Sequence, residues 1–164
     1  MKNLQVVLFL FVLIPLASCG QKNDSLDEEV KTLYKNTVPI ASKENAEAWK
    51  NAHVLDTREQ EEFAVSHLPN AKFVGYDDFE LESLSEIGKK DTVIVYCSVG
   101  HRSERIGEKL QKAGYENVFN LYGGIFNWKN KGGVVLNSEN DSTEKVHTYN
   151  KSWSRFLKQG EKVY

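Results

Sequence analysis

Hydrophobic and polar positions change their pattern along the chain. Between residues 38 and 136, short runs rich in β-branched residues alternate with segments in which apolar residues recur at helical spacing. The runs predict strands at 37–41, 53–56, 71–74, 92–96 and 118–121. The segments between them predict helices at 43–49, 59–65, 79–87 and 103–112, and a last helix that follows Gly123-Gly124 and contains Trp128. This alternation is typical of an α/β domain.

The run at 92–96, Thr-Val-Ile-Val-Tyr, is the most hydrophobic one after the N-terminal segment. Because it is continuous rather than alternating, it predicts a strand that is buried on both faces, as central strands of parallel sheets are. We therefore expect a parallel central sheet of about five strands, flanked by helices on both faces.

Residues 1–18 have the features of an export signal: Lys2, a mostly apolar stretch from 4 to 16, and then small residues. The stretch is short for a membrane-spanning helix. Its end, Leu16-Ala17-Ser18-Cys19, resembles the lipobox of bacterial lipoproteins. That resemblance implies lipidation of Cys19 and anchoring to a membrane of the bacterial cell envelope, on its periplasmic or outer-surface side. An uncleaved anchor helix and a soluble exported protein with an incidental cysteine are the alternatives.

Two polar segments flank the alternating region. Residues 19–36 are charged and offer little apolar pattern, so we expect a tether there. Residues 137–164 form a C-terminal extension that begins with a polar linker up to residue 145 and then continues extended over 146–149. Trp153, Phe156 and Leu157 predict a short amphipathic helix after it, and packing against the domain is favoured over contact with a membrane surface.

Composition and charge exclude several classes of function. Lys and Arg total 21 against 23 Asp and Glu, a balance that does not indicate a nucleic-acid partner. The four histidines have no metal-ligand spacing, so no metal site is predicted. Gly123-Gly124 lacks the G-x-G-x-x-G form and predicts a tight strand-to-helix turn rather than a nucleotide site. No cofactor is expected.

Cys97 directly follows the predicted central strand, where ligands bind in parallel α/β sheets. The chain has two cysteines, and lipidation of Cys19 leaves Cys97 without an intramolecular partner. The loop after it contains Gly100, Arg102 and the start of a helix, whose inward N–H groups would stabilise a thiolate. We expect a nucleophile here. A buried structural cysteine is the alternative, although glycine and arginine are poor neighbours in an apolar core.

Four motifs occur along the chain in one order, and together they cover residues 38–136. They are Leu55-Asp56-Thr57-Arg58-Glu59, the segment from Phe63 through His67-Leu68-Pro69-Asn70-Ala71, the loop Cys97-Ser98-Val99-Gly100-His101-Arg102-Ser103, and the segment from Gly114 to Trp128. The set resembles the single-domain rhodaneses, the thiosulfate sulfurtransferases, whose active-site loop is C-x-x-G-x-R-S. Ser66 stands where that family often has glycine, a departure that concerns a turn.

The resemblance implies a rhodanese-like fold and sulfur transfer through a persulfide on Cys97. Under this interpretation the loop amides of Ser98, Val99, Gly100, His101 and Arg102 bind the persulfide, and the side chains of His101 and Arg102 receive an anionic donor. For Arg102 a helix-capping or solvent-facing role is an equal alternative, and His101 is expected at the rim. The partners implied are a small-molecule sulfane-sulfur donor and a thiol or cyanide acceptor, with a protein acceptor as a further option.

Asp56 and Arg58 are expected to support the site structurally. Their positions at a strand end predict an ion pair that braces the rim of the active site.

Two other functions compete with sulfur transfer. A phosphatase or arsenate reductase of the Cdc25-like branch shares the fold, but its loop from cysteine to arginine is one residue longer than the six residues from Cys97 to Arg102. The shorter loop favours sulfur over a tetrahedral oxyanion. The second alternative is a non-enzymatic module that binds or delivers persulfide in the cell envelope.

Overall fold

Five parallel strands form the central sheet of the computed structural model, which describes residues 25–164. In chain order they are β1 (Ile40–Ala41), β2 (His53–Asp56), β3 (Ala71–Phe73), β4 (Thr92–Tyr96) and β5 (Asn117–Leu121). Their order across the sheet is β1-β5-β4-β2-β3, so β4 is central as predicted. The parallel register sets His53 of β2 opposite Val93 of β4, and Thr92 of β4 opposite Asn117 of β5.

Side chains of β4 alternate between two separate apolar cores. Val93 and Val95 pack with Ile106 and Leu110 of α3 (His101–Lys112) on one face of the sheet. On the other face, Ile94 and Tyr96 pack with Ile125 and Phe126 at the start of α4 (Gly124–Asn130), and with residues of the two terminal segments. The prediction of a five-stranded parallel sheet with helices on both faces is confirmed.

Three of the predicted helices are shorter or tighter than expected. The segments at 43–49 and 79–87 contain 3₁₀ helices over Lys43–Trp49 and Leu81–Leu84 rather than α-helices. The third, α2, spans Gln60–Val65 and begins with a capping box, in which the Glu59 side chain receives the backbone N–H of Glu62 and the Glu62 carboxylate receives that of Glu59. That box turns the Glu62 side chain into the protein, where it is 2% exposed.

The tether predicted for 19–36 is wrong over its described part. Residues Leu26–Leu33 form helix α1, and Val30 on its inner face is almost completely buried. The chain between α1 and β1 is fixed by the buried carboxylate of Glu104, which accepts the backbone N–H groups of Lys35 and Thr37 at 3.0 Å. A few apolar residues spaced one helical turn apart are enough to anchor this otherwise charged segment.

The C-terminal extension packs on the domain, but its secondary structure differs from the prediction. The expected polar linker contains β7 (Ser142–Thr143), which pairs with β6 (Val135–Leu136) as an antiparallel hairpin. Two further strands, β8 (Lys145–His147) and β9 (Glu161–Val163), pair in parallel. The amphipathic helix is only a 3₁₀ turn at Ser154–Phe156, since the buried side chains of Phe156 and Leu157 hold the chain locally instead.

The export signal predicted at 1–18 and the lipidation predicted at Cys19 lie outside the described residues. Within 25–164, none of the helices has the length and apolar character needed to cross a membrane.

Candidate active site

A cavity of about 340 Å³ opens at the carboxyl end of the sheet, with Cys97 at its floor. Cys97 directly follows β4. Tyr76 and Asp77, from the segment after β3, line the same cavity, and so does Glu59, which lies between β2 and α2. Carboxyl ends of parallel strands meet at one edge, and this is where such sheets bind ligands.

The Cys97 sulfur lies at the N-terminus of α3. The backbone N–H of Gly100 donates to Sγ at 3.1 Å. Gly100 precedes the first helical residue, His101, and has a positive φ of 98°, which curls the loop so that its amide faces the sulfur. The helix N-terminus adds partial positive charge at the same place. A backbone N–H and the positive end of a helix dipole therefore both face Sγ.

The start of the loop is bonded to the first turn of α4. The carbonyls of Cys97 and Ser98 accept the N–H groups of Ile125 and Phe126 at 2.9 and 3.1 Å. A Cβ on Gly124 would lie 2.1 Å from the Cys97 carbonyl oxygen, so glycine is required for this contact. Gly123-Gly124 is the strand-to-helix turn that the sequence predicts, and it also positions the cysteine.

Two side chains hold the middle of the loop. Asn120 of β5 donates Nδ2–H to the Gly100 carbonyl at 2.9 Å. The Tyr34 hydroxyl donates to the Val99 carbonyl at 2.8 Å and accepts the Gly123 N–H at 3.1 Å. A Cβ on Gly100 would be 1.6 Å from the Tyr34 hydroxyl oxygen. The tyrosine can therefore occupy this place only because residue 100 is glycine. The segment predicted as a tether thus contacts the Cys97–Arg102 loop directly.

Arg102 is bonded to a buried carboxylate. Its Nη1 and Nη2 atoms lie 2.7 and 2.9 Å from the two oxygens of Glu62, and Nη2 also donates to Ser98 Oγ at 3.1 Å. Ser98 Oγ in turn donates to Glu62 at 2.8 Å. Glu59 lies 3.6 Å from Nη1. With its side chain 18% exposed and bonded to Glu62 of α2, Arg102 matches neither the solvent-facing nor the helix-capping alternative, and its guanidinium borders the cavity.

Burial and charge set the ionisation of this network. Burial acts to raise the pKa of Glu62, but the hydrogen bonds and positive charge of Arg102 outweigh it and lower that pKa. For Arg102 burial works against the charged form, yet the bond to Glu62 and the nearby sulfur raise its pKa. Burial, and secondarily the charge of Arg105, lower the pKa of His101. At neutral pH the pair is fully charged and His101 is a neutral imidazole.

The ion pair predicted between Asp56 and Arg58 is present and completely buried. Arg58 Nε and Nη2 donate to the carboxylate at 2.9 and 2.6 Å, and Nη2 also donates to the Ser66 carbonyl at 2.6 Å. The Tyr96 hydroxyl, on the residue before Cys97, donates to Asp56 Oδ2 at 2.5 Å. Both charged residues therefore brace the strand that presents the cysteine, and neither lines the cavity.

Most of the predicted loop residues border the cavity. Cys97, Ser98, Val99, His101 and Arg102 line it, while Gly100 contributes its amide to Sγ. Within residues 25–164, Cys97 is a free cysteine and is buried. Among residues 25–164, no three His, Cys, Asp or Glu side chains are placed to hold a metal ion.

Several contributors to the site were not identified from the sequence. Glu62 had a recognisable signal, since a glutamate three residues after Glu59 is the pattern of a capping box. Leu33, Tyr149 and Trp153 also line the cavity, from segments far away along the chain, and no local pattern indicates that.

Comparisons with known proteins agree with this geometry. The family described as Rhodanese-like domain matches residues 41–131, more than half of the chain. The chain is 28% identical over 88 residues to the thiosulfate sulfurtransferase GlpE of Coxiella burnetii, covering 51% of this chain and 81% of that protein. It is 29% identical over 119 residues to the adenylyltransferase and sulfurtransferase UBA4 of Candida albicans, covering 67% of this chain and 26% of that protein. A Bacillus subtilis relative is matched over 49% of its length.

Solved structures share the fold. The BH2092 protein from Bacillus halodurans superposes with a TM-score of 0.56 at 19% identity, over 68% of this chain and 86% of that one. The rhodanese-like domain of the Alr3790 protein from Anabaena sp. gives a TM-score of 0.55 at 23% identity, over 60% of this chain and 79% of that one. With the matched family region and the cysteine loop at the end of the central strand, the chain belongs to the rhodanese-like domain family.

Proposed function

We propose that this protein is a sulfurtransferase that carries sulfane sulfur as a persulfide on Cys97. The observation that carries the proposal is the position of Sγ, which lies on the cavity floor, 3.1 Å from the Gly100 N–H and at the N-terminus of α3. This arrangement stabilises the anion that must attack a sulfur donor, and it stabilises the persulfide anion that results.

In the first half-reaction the Cys97 thiolate attacks the outer sulfur of a donor such as thiosulfate. A bond forms between Sγ and that sulfur, and the S–S bond of the donor breaks. The bonding electron pair leaves with sulfite, and no proton is transferred. Because the backbone of Cys97 and Ser98 is fixed by the Ile125 and Phe126 amides, Sγ stays in place during the attack.

In the second half-reaction a thiophilic acceptor attacks the outer sulfur of the persulfide. With cyanide the products are thiocyanate and the Cys97 thiolate, so the site returns to its starting charge. A thiol acceptor takes the sulfur in the same way, and a protein thiol serves if its cysteine reaches the cavity.

Phosphatase chemistry fits this site less well. A loop that holds a tetrahedral oxyanion needs its arginine to face the space above the cysteine sulfur. Here both terminal nitrogens of Arg102 are bonded to Glu62. The Cys97–Arg102 loop also has only six residues.

We further propose that Cys19 is lipidated, so that the domain works at the surface of an envelope membrane. The support is the sequence: an apolar stretch ends at Leu16-Ala17-Ser18-Cys19. A Cys19→Ala variant is expected to lose labelled palmitate and to leave the membrane fraction. Unchanged membrane association of that variant would indicate an uncleaved helix instead.

The activity is tested by thiocyanate formation from thiosulfate and cyanide with the purified full chain in detergent. We expect turnover by the wild type and none by Cys97→Ser, because serine cannot hold sulfane sulfur. The Cys19→Ala variant is the matched control, since it removes the other cysteine and leaves the site intact. A wild type that hydrolyses an aryl phosphate and forms no thiocyanate would contradict the proposal.

A further inference from the structure

One wall of the Cys97 cavity is built by segments outside the family match at 41–131. Leu33 comes from α1, and Tyr149 and Trp153 come from the segment between β8 and β9. Tyr76 and Val99 from the domain itself also border the cavity. These five residues are apolar or aromatic. The cavity is therefore larger and less polar than a small inorganic anion requires.

The aromatic part of this wall, Tyr149 and Trp153, is called the aromatic wall below. A folded segment holds it in place. The residue before Tyr149, Thr148, donates its backbone N–H to the Val163 carbonyl of β9 at 2.8 Å. Tyr149 itself adopts a φ of 63°, a conformation that side chains other than glycine and asparagine rarely take, and its ring lies 5.7 Å from the Arg102 guanidinium. Strained residues of this kind persist where the surrounding structure fixes them, commonly at functional sites.

Trp153 is held by one residue before it in the sequence, Asn150, and by one after it, Phe156. Its backbone N–H donates to the carbonyl and to the side-chain Oδ1 of Asn150, at 3.1 and 3.2 Å. Its ring packs at 5.6 Å on the ring of Phe156, which is completely buried in the core. The indole is thus presented to the cavity by a rigid support.

The charged groups of the cavity are poorly suited to a dianion. Arg102 is the one Lys or Arg among its described lining residues, and its charge is matched by the Glu62 carboxylate. The carboxylates of Glu59 and Asp77 also line the cavity. His101 adds no charge at neutral pH, because burial lowers its pKa. A donor with two negative charges, such as thiosulfate, therefore meets more repulsion from these carboxylates than a donor with one.

Resting on the sulfurtransferase function proposed above, we infer that the preferred donor is an organic sulfane-sulfur compound with at most one negative charge. Its apolar substituent, about the size of an aromatic ring, lies against Tyr149 and Trp153 while its outer sulfur faces Cys97. An aromatic ring contributes both buried apolar surface and ring contacts there.

The thiosulfonates provide probes whose chemistry is the same for every substituent. The Cys97 thiolate attacks the outer sulfur of R–SO₂–S⁻, the S–S bond breaks, and its electron pair leaves with the sulfinate R–SO₂⁻. The products are the Cys97 persulfide and the sulfinate, so charge and atoms balance. Benzenethiosulfonate and methanethiosulfonate have the same charge and differ in the substituent, whereas thiosulfate has one more negative charge.

The test measures the rate of persulfide formation on the full chain with each of the three donors. For the wild type we expect kcat/KM with benzenethiosulfonate to exceed that with methanethiosulfonate about tenfold. Trp153→Ala and Tyr149→Ala should each reduce this ratio severalfold. Tyr164→Ala is the matched control, because Tyr164 and Tyr149 are both 57% exposed and Tyr164 does not line the cavity. It should leave the ratio unchanged.

The outcomes separate this inference from the proposed function. Equal rates for the two thiosulfonates, or a preference that survives both wall variants, overturn the inference while persulfide formation still supports sulfur transfer. Failure of all three donors to form a Cys97 persulfide overturns both. Tyr149→Ala keeps the test valid if Trp153→Ala fails to fold, since the exposed Tyr149 side chain contributes little to the core.

Discussion

The floor and the aromatic wall of the Cys97 cavity are held by different kinds of interaction. At the floor, backbone groups of the Cys97–Arg102 loop are bonded to the start of α4, to Asn120 and to Tyr34. The wall consists of side chains from the terminal segments, supported by a two-stranded sheet and by Phe156. At the floor, a Cβ added to Gly100 or Gly124 would overlap neighbouring atoms. On the wall, the Tyr149 side chain is exposed to solvent.

Because the two regions are built differently, we expect the floor to determine the reaction at sulfur and the wall to determine which donor is preferred. Backbone amides fix the sulfur and would treat any donor alike, because every donor presents the same outer sulfur atom to Cys97. Side chains on the wall contact only the rest of the donor. Floor substitutions should therefore lower stability and activity together, and wall substitutions should change the choice of donor at nearly constant stability.

The largest effect is expected for Gly100→Ala. The new Cβ would lie 1.6 Å from the Tyr34 hydroxyl oxygen, at a backbone φ of 98°. We expect a loss of about 3 kcal/mol in unfolding free energy and of more than tenfold in activity, measured by urea denaturation and thiocyanate formation. Gly114→Ala is the control, since φ is 89° and no atom lies within 4 Å. It should cost about 1 kcal/mol, and equal costs would mean that Tyr34 does not constrain the loop.

Glu62→Gln should have the next largest effect. It removes the charge that neutralises Arg102, whose side chain is only 18% exposed, and we expect a loss of about 2 kcal/mol at pH 7. The effect depends on pH because the pKa of Glu62 is lowered by folding. Its contribution is complete above the ordinary glutamate pKa of 4.5 and is lost as the pH falls towards the lower folded value.

The free energies of unfolding of wild type and Glu62→Gln should thus converge below about pH 4.5. The exposed Glu86, paired with Lys72, is the control position, because the Lys72 side chain is 41% exposed and that of Arg102 only 18%. Glu86→Gln should change stability far less at pH 7. A difference between wild type and Glu62→Gln that stays constant down to pH 3 would contradict the assignment.

A smaller effect is expected for Tyr34→Phe. The variant keeps the ring but removes the hydroxyl that bridges the Val99 carbonyl and the Gly123 N–H. Leaving these buried groups without their partner should cost about 1–2 kcal/mol and reduce activity, as measured by denaturation and turnover. Tyr122→Phe removes an exposed hydroxyl bond to Asp27 and should cost less than about 0.5 kcal/mol. Similar losses in both variants would mean that α1 has no special contact with the loop.

The smallest change in stability should follow Tyr149→Asn on the wall. Asparagine adopts a φ near 63° more readily than tyrosine, and this gain offsets the lost contact with Arg102. We expect unfolding free energy to change by no more than about 0.5 kcal/mol, while the preference for an aromatic donor falls. A large loss of stability would show that the wall and the floor are one cooperative unit.

Local sequence patterns predicted the position of the site in the fold better than the shape of its cavity. The strand β4, the cysteine after it and the glycine turn before α4 are each visible within a few residues, because backbone conformation there depends on short-range patterns. The buried bond between Glu62 and Arg102 spans 40 positions in the sequence, and the contact of Tyr34 with Val99 spans 65. Contacts of this range follow from the tertiary fold, so no window of the sequence contains them.

The predictions at the two ends of the chain show the same limit. Helix α1 is rich in charged residues, and only a few apolar ones, such as Val30, are buried. These few residues form a weak hydrophobic pattern, so the sequence predicted a tether instead of a helix. In the C-terminal extension, Trp153, Phe156 and Leu157 were correctly predicted to pack on the domain. The expected helix is replaced by a 3₁₀ turn because the buried side chains of Phe156 and Leu157 hold the chain there.

The most direct test of the central claim is the mass of the full chain after one half-reaction. The protein is incubated with a sulfane-sulfur donor, separated from it, and measured intact and as peptides before and after addition of cyanide. We expect one added sulfur atom on the peptide that contains Cys97, followed by its loss with release of one equivalent of thiocyanate. A folded protein whose Cys97 gains no sulfur from thiosulfate or from either thiosulfonate would contradict the account.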